Sequence, residues 1–226
     1  MATILPEKNI IYLAAPGTAS TTLEWIFTGQ FKGVYLEAPE NLFQYGTRHA
    51  TPAELCAAQA AGELNYDGEI DFDNTVYITS VRNPYAYHYS EWYRHRTKWV
   101  KLLTDQSSWI YQQPQKIEQI VAAVTTDFST YILDRLGQYV EAGHSSHLNQ
   151  QFVNSSHYHI RSEFLYEELR QLMGNLGYDQ EIKKQDLNIT EKSNRDREYW
   201  RHYSQEARDC VRRFNLPTIE KFQYEF

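Results

Sequence analysis

Two cysteines in 226 residues, Cys56 and Cys210, stand far apart and in no metal-like spacing. Read as free thiols, they predict a reducing, cytoplasmic setting. Basic residues are also in short supply: 22 Lys and Arg face 29 Asp and Glu, for a formal net charge of -7. A chain that grips a nucleic-acid backbone needs a basic face, so a broad nucleic-acid partner is excluded. A local basic pocket for one small polyanion is not. No apolar run reaches the ~20 residues of a membrane span. The start, Met1 to Lys8, has no basic segment followed by a long apolar stretch. A cytoplasmic protein with no membrane partner is the expectation. No internal repeat, low-complexity tract or Gly/Pro/Ser-rich linker divides the chain. That predicts one domain over residues 1–226, with room for a small helical elaboration.

Aromatic residues are abundant, with 18 Tyr and 15% Phe, Trp and Tyr together. Aromatic faces can stack on sugars, although most such rings pack with their polar tip in water. Along the chain, Asn9 to Ala15 is a short apolar run that reads as a buried strand. It empties into Pro16-Gly17-Thr18-Ala19-Ser20-Thr21-Thr22, after which Leu23, Trp25, Ile26 and Phe27 begin a helical pattern. Pro52 to Leu64, with five alanines, reads as a helix. Thr75 to Val81 is a second buried strand, rich in β-branched residues. Asn83 then suits an N-cap and Pro84 the first helical position of a helix toward about Leu103. Ile117 to Leu136 is expected to be largely helical, Tyr158 to Arg161 a third strand, and Leu165 to Leu176 a helix. A last helix is expected over Arg197 to Phe214, and the aromatic tail Phe222 to Phe226 should not be left in water. Strands alternating with helices predict an α/β fold with a central parallel sheet flanked by helices.

Two constellations carry chemistry. A strand feeding a Gly/Ser/Thr loop into a helix start leaves backbone N–H groups unpaired, and the helix dipole there favours an anion. Ser20, Thr21 and Thr22 add hydroxyl donors; the plain alternative is a strand-to-helix turn capped by hydroxyl residues. The loop is not of the Walker A type, because no lysine follows its glycines in the required pattern. That disfavours a nucleotide kinase. Arg82 follows the second strand, at the carboxyl end where open α/β sheets bind ligands. Ser90 comes about two helical turns later and can face back toward the strand end. Arg offers a planar fork to phosphate, and Ser one more donor. A surface salt bridge is the alternative for Arg82.

Together, Pro16 to Leu23 and Val81-Arg82-Asn83-Pro84-Tyr85 through Ser90 resemble the two signatures of PAPS-dependent sulfotransferases (PAPS, 3′-phosphoadenosine 5′-phosphosulfate). The likeness is greatest to the carbohydrate branch. Further similarity lies in Arg48-His49-Ala50-Thr51, His147 to Gln151, Ile160 to Leu165, and Asn188 onward through Tyr199, Tyr203 and the tail. The resemblance implies a P-loop-like three-layer fold, PAPS as co-substrate, no metal, and a small-molecule or glycan hydroxyl acceptor. It implies that Pro16, Gly17, Thr18, Ala19, Ser20, Thr21 and Thr22 hold the 5′-phosphosulfate and that Arg82 and Ser90 hold the 3′-phosphate. It puts Lys192 in a segment that closes over the nucleotide. A base must take the acceptor proton, and His is the natural group near neutral pH. His49 matches the family's catalytic histidine, with His147 and His88 as alternatives. At Gly17 this chain departs from the family, which carries a lysine there that contacts the transferring group. At Tyr87 it departs from a second arginine. Arg48 or Lys192 is then a candidate substitute cation, and a nucleotide-binding protein weakened in catalysis is the competing expectation.

Overall fold

The computed structural model describes residues 2–38, 49–183, 187 and 198–226. Among them the chain forms an α/β protein with one five-stranded sheet and divides into two compact units, 1–82 with 149–193 and 83–148 with 194–226.

The first unit contains the sheet. Its strands are β1 (Ala2–Leu5), β2 (Ile10–Leu13), β3 (Val34–Leu36), β4 (Val76–Val81) and β5 (Tyr158–Arg161), in spatial order β3-β1-β2-β4-β5. The expected central parallel sheet is replaced by a mixed one. β1 pairs antiparallel with both β2 and β3, whereas β2-β4 and β4-β5 are parallel. The reason is connection length. β1 and β2 are joined only by the tight turn Pro6–Lys8 and Asn9, whose φ of 48 closes it, and so short a link admits no parallel crossover. β1 and β3, too short and flat in pattern to be read ahead of the structure, are the strands that make the sheet mixed.

Side-chain alternation along the strands feeds two separate cores. Leu5, Ile10, Tyr12, Ile78 and Ile160 pack with Leu23, Ile26 and Phe27 of α1 (Ser20–Gly29) and with Leu169, Leu172 and Met173 of α7 (Leu165–Asn175). Their alternates Ala2, Ile4, Ile11, Leu13 and Tyr77 pack with Leu55 and Ala58 of α2 (Pro52–Ala60) and Phe152 of α6 (Gln150–Ser155). The i, i+3, i+4 spacing of Leu23, Ile26 and Phe27 gives α1 its buried stripe, while Trp25 lies outside it and is exposed.

The second unit is helical: α3 (Pro84–Thr97), α4 (Pro114–Thr125), α5 (Phe128–Glu141), α8 (Gln205–Phe214) and α9 (Leu216–Phe222). Asn83 caps α3 by accepting from the Tyr85 N–H, and Pro84 opens it, as expected. The stretch 117–136 is largely helical, as expected, and is divided where Asp127 turns its carboxylate onto the Thr130 N–H and starts α5. Ser204 likewise starts α8 later than expected. The tail is only partly withdrawn from water: Phe222 and Tyr224 are half-buried, while Phe226, 36% exposed, packs its ring edge-on against Tyr85, Tyr199 and Tyr203 under the Arg208 guanidinium. Among the described residues no helix is long and apolar enough to cross a membrane.

A buried polar cluster ties α3, α4 and α5. Glu91 Oε2 accepts from Arg135 at 2.9 Å, Arg135 also donates to the Tyr131 hydroxyl, and that hydroxyl meets His95 Nδ1 at 2.9 Å. Burial alone would push the Glu91 carboxyl up, but Arg135 and Lys116 outweigh it and hold the group well below the usual carboxylate range. Burial pushes the His88 and His95 imidazoles down from 6.5 to about 4, against the pull of Glu91. The unfolded chain therefore binds more protons than the folded one between about pH 6.5 and 4. Stability should be complete above about pH 6.5 and fall as pH drops through this window, with up to about 3 kcal/mol from each imidazole. Urea denaturation at a series of pH values measures this; equal stability at about pH 7.5 and pH 4.5 would contradict it.

Candidate functional site

The parallel pair β2-β4 puts the loop after β2 beside the carboxyl end of β4. Leu13 lies opposite Thr79, and the Thr79 hydroxyl donates to the Leu13 carbonyl at 2.8 Å. Beyond Leu13 the chain turns through Pro16 and Gly17 and enters α1 with Ala19 as N-cap. Two residues take left-handed backbone here: Gly17 with φ 73 and Ala19 with φ 65. Glycine enters that region freely, alanine only at a cost.

A row of hydroxyls braces the turn from beneath. Thr18 Oγ1 donates to the Ala15 carbonyl at 2.9 Å and lies 2.6 Å from Ser80 Oγ, which in turn lies 2.9 Å from the Tyr12 hydroxyl. Because a carbonyl only accepts, the direction of the whole row follows. Tyr12 donates to Ser80, Ser80 to Thr18, and Thr18 to Ala15. All three side chains are buried, so each proton needs its acceptor.

The carbonyls of Ala14, Ala15, Pro16 and Gly17 are all taken by side chains. His49 Nδ1 is 2.6 Å from the Ala14 oxygen, Thr18 Oγ1 holds Ala15, Asn149 Nδ2 donates to Pro16 at 3.1 Å, and the Arg82 guanidinium donates to Gly17 at 3.3 Å. A trans peptide is planar and its N–H points opposite its C=O, so the bonds on the Pro16 and Gly17 oxygens aim the Gly17 and Thr18 amides away from Asn149 and Arg82. Among the described residues the N–H groups of Gly17, Ala19 and Ser20 meet no hydrogen-bond acceptor. They sit at the positive end of the α1 dipole, an arrangement suited to a phosphate- or sulfate-like anion.

The Ala14 contact also sets the chemistry of His49. The carbonyl has no proton to give, so Nδ1 carries one, and in the neutral ring Nε2 is the nitrogen with the basic lone pair. His49 is half-buried and enters α2 through a capping box in which Thr51 and Glu54 bond reciprocally. A histidine with a fixed tautomer, tied to the loop that offers the amides, is equipped to take a proton from a hydroxyl placed there.

The other expected residues are distributed unevenly. Thr18 and Thr22 are wholly buried, Ser20 is 6% exposed, and Thr21 faces solvent. Arg82 belongs to the first unit with the loop, whereas Ser90, buried on α3, belongs to the second. His88 also lies in the second unit, where its Nε2 accepts from Asn215 at 3.1 Å. So does His147, whose Nδ1 is 3.3 Å from the Thr218 hydroxyl and whose pKa is lowered by burial and by Lys221. Arg48 and Lys192 lie outside the described residues. Asn149 and Ser80 were not anticipated: each acts on a backbone group or a neighbouring hydroxyl, and neither belongs to a residue pattern that betrays such a role. Cys56 and Cys210 are both free thiols. Among the described residues no three His, Cys, Asp or Glu side chains gather as a metal site. Comparison of the chain with protein-family models, curated proteins and solved structures found no match in any of the three.

The two left-handed positions lead to opposite expected outcomes. Gly17→Ala, and equally Gly17→Lys, should lower stability by about 1–2 kcal/mol, because a Cβ is forced into left-handed backbone. Ala19→Gly should raise it by up to about 1 kcal/mol, since the strain is relieved at an N-cap that accepts glycine. Denaturation midpoints of the three variants test the pair; a stabilised Gly17→Ala would show that the loop does not hold this turn in solution.

Proposed function

We propose that the chain is a PAPS-dependent sulfotransferase that moves a sulfuryl group onto a hydroxyl acceptor, with a carbohydrate as the favoured acceptor class. The single observation that carries this reading is the loop of carbonyls held from behind, with the amides of Gly17, Ala19 and Ser20 at the start of α1 meeting no acceptor among the described residues and a histidine of defined tautomer bonded to the same loop. The likeness of Pro16 to Leu23 and Arg82 to Ser90 to the family's two signatures supplies the choice of anion. A P-loop-like layering is part of the proposal; the β2-loop-α1 unit and the helices on both sheet faces support it.

The acceptor oxygen attacks the sulfur of PAPS while its proton passes to His49 Nε2. The bond from sulfur to the bridging oxygen breaks, and a sulfate ester and adenosine 3′,5′-bisphosphate leave. Charge grows on the departing phosphate, where amides fixed in advance lower the barrier without reorganising. Arg82 adds a cation beside the loop, and Lys192 remains the proposed closing residue. The competing reading, a nucleotide-binding protein weakened in catalysis, is favoured by Gly17: its left-handed backbone suits glycine and disfavours the lysine that the family places there.

Saturating adenosine 3′,5′-bisphosphate, at about 100 times its Kd, should stabilise the fold by about 2.7 kcal/mol. An unmoved melting temperature would sink the nucleotide reading in both forms. His49→Ala should reduce turnover by about 10²–10⁴-fold and leave bisphosphate affinity unchanged. Radiolabelled PAPS offered to pools of glycans and small hydroxyl compounds reads turnover and acceptor class together. Bisphosphate binding without transfer to any pool would favour the weakened protein.

A further inference from the structure

Asn149 occupies the N-cap of α6, a position where asparagine ordinarily turns its side chain onto the first amides of its own helix. Here it makes no such bond. Its backbone carbonyl serves the helix instead, accepting from Phe152 at 2.9 Å and Val153 at 3.2 Å, and its side-chain amide reaches across the sequence to the Pro16 oxygen. The residue holds left-handed backbone, φ 54 and ψ 45, which asparagine tolerates better than most residues with a side chain. Behind it, Phe152 and Val153 are each 1% exposed and anchor α6 in the core. A capping residue is thus diverted from its own helix to one carbonyl of the loop after β2.

That carbonyl has a particular neighbour. The Pro16 oxygen and the Gly17 N–H belong to one peptide plane and point in opposite directions. Gly17, free to rotate through φ 73 and preceded by a proline with no N–H of its own, sits in the most easily flipped peptide of the loop. Without a donor on the Pro16 oxygen, that peptide can turn over and present a carbonyl where an anion needs an N–H. Ser20, 6% exposed, stands at the same helix start.

We propose that Asn149 is a positioning residue that locks the Pro16–Gly17 peptide with the Gly17 N–H turned toward the bound anion. The inference rests on the reading that this loop holds the phosphosulfate of PAPS. Asn149 touches neither the reacting atoms nor the nucleotide; it acts through one peptide plane.

Two variants isolate the donor. Asn149→Gly keeps the left-handed backbone and deletes the amide, and Asn149→Asp keeps the shape but cannot donate. Both residues are good N-caps, so α6 should persist in each. Adenosine 3′,5′-bisphosphate should bind about tenfold more weakly to Asn149→Gly and more weakly still to Asn149→Asp, with the melting temperature of each ligand-free protein close to that of the wild type. The amide resonance of Gly17, followed by ¹⁵N NMR to saturation, should move in the wild type and move much less in both variants. If the wild type binds the bisphosphate and the variants bind it equally, with the same movement of Gly17, the role of Asn149 is overturned and the proposed function stands. If the wild type does not bind it, the proposed function falls, and inorganic pyrophosphate replaces it as the probe. Movement of Gly17 in the wild type alone then supports the positioning role, and its absence overturns it. Should Asn149→Gly lose stability, the same comparison is read from Asn149→Asp.

Discussion

Four carbonyls leave the end of β2 in succession, and the way they are satisfied governs the geometry of the site. A buried strand that ends in a turn exposes backbone groups that have lost their sheet partners, and each must find another. Here the partners are side chains from four places in the sequence: His49, Thr18, Asn149 and Arg82. Because a peptide is planar, fixing these oxygens fixes the amides that follow them. The Gly17 and Thr18 N–H groups therefore take their direction from the bonds on the Pro16 and Gly17 oxygens, on the opposite side of the loop. His49 gains its tautomer from the same bond that completes the Ala14 carbonyl.

The hydroxyl row beneath the loop has a different task. Tyr12, Ser80 and Thr18 hand one direction of hydrogen bonding from the β2 core to the turn, and Thr18 is consumed by it. A threonine in a Gly/Ser/Thr loop therefore serves as a scaffold strut, not as a donor to ligand. Thr22, wholly buried, also lies on the inner side of α1. The loop divides its hydroxyls, with Thr18 and Thr22 facing inward and Thr21 facing solvent.

In the helical unit, polar burial solves a packing problem among aromatic rings. Glu91 is 8% exposed and has Arg135 as its close partner, with Lys116 at 3.9 Å. Removing one partner of such a pair leaves a buried charge and costs roughly 3–5 kcal/mol, although the intact pair adds little over an apolar replacement. The three charges come from α3, α4 and α5, so the cluster joins all three helices. His95, fully buried beside Tyr131, is held toward its neutral form there, and its protonation on unfolding links the stability of this unit to acid.

The α/β class, the existence of β2, β4 and β5, the helix start at Pro84 and the loop of Pro16 to Thr22 were legible from residue order, since periodicity, β-branching and capping chemistry act over a few neighbouring residues. So was the interest of His49 and Arg82, through the motifs around them. The mixed sheet was not, because β1 and β3 are short strands whose pairing depends on a four-residue hairpin and on distant partners. Nor was the role of Asn149, which bonds a backbone oxygen 133 positions away, a contact that any amide at that point in space could make. Local chemistry is written in local sequence. The direction of a peptide plane and the tautomer of an imidazole depend on which distant atoms folding brings within hydrogen-bond reach, and only the tertiary structure decided them.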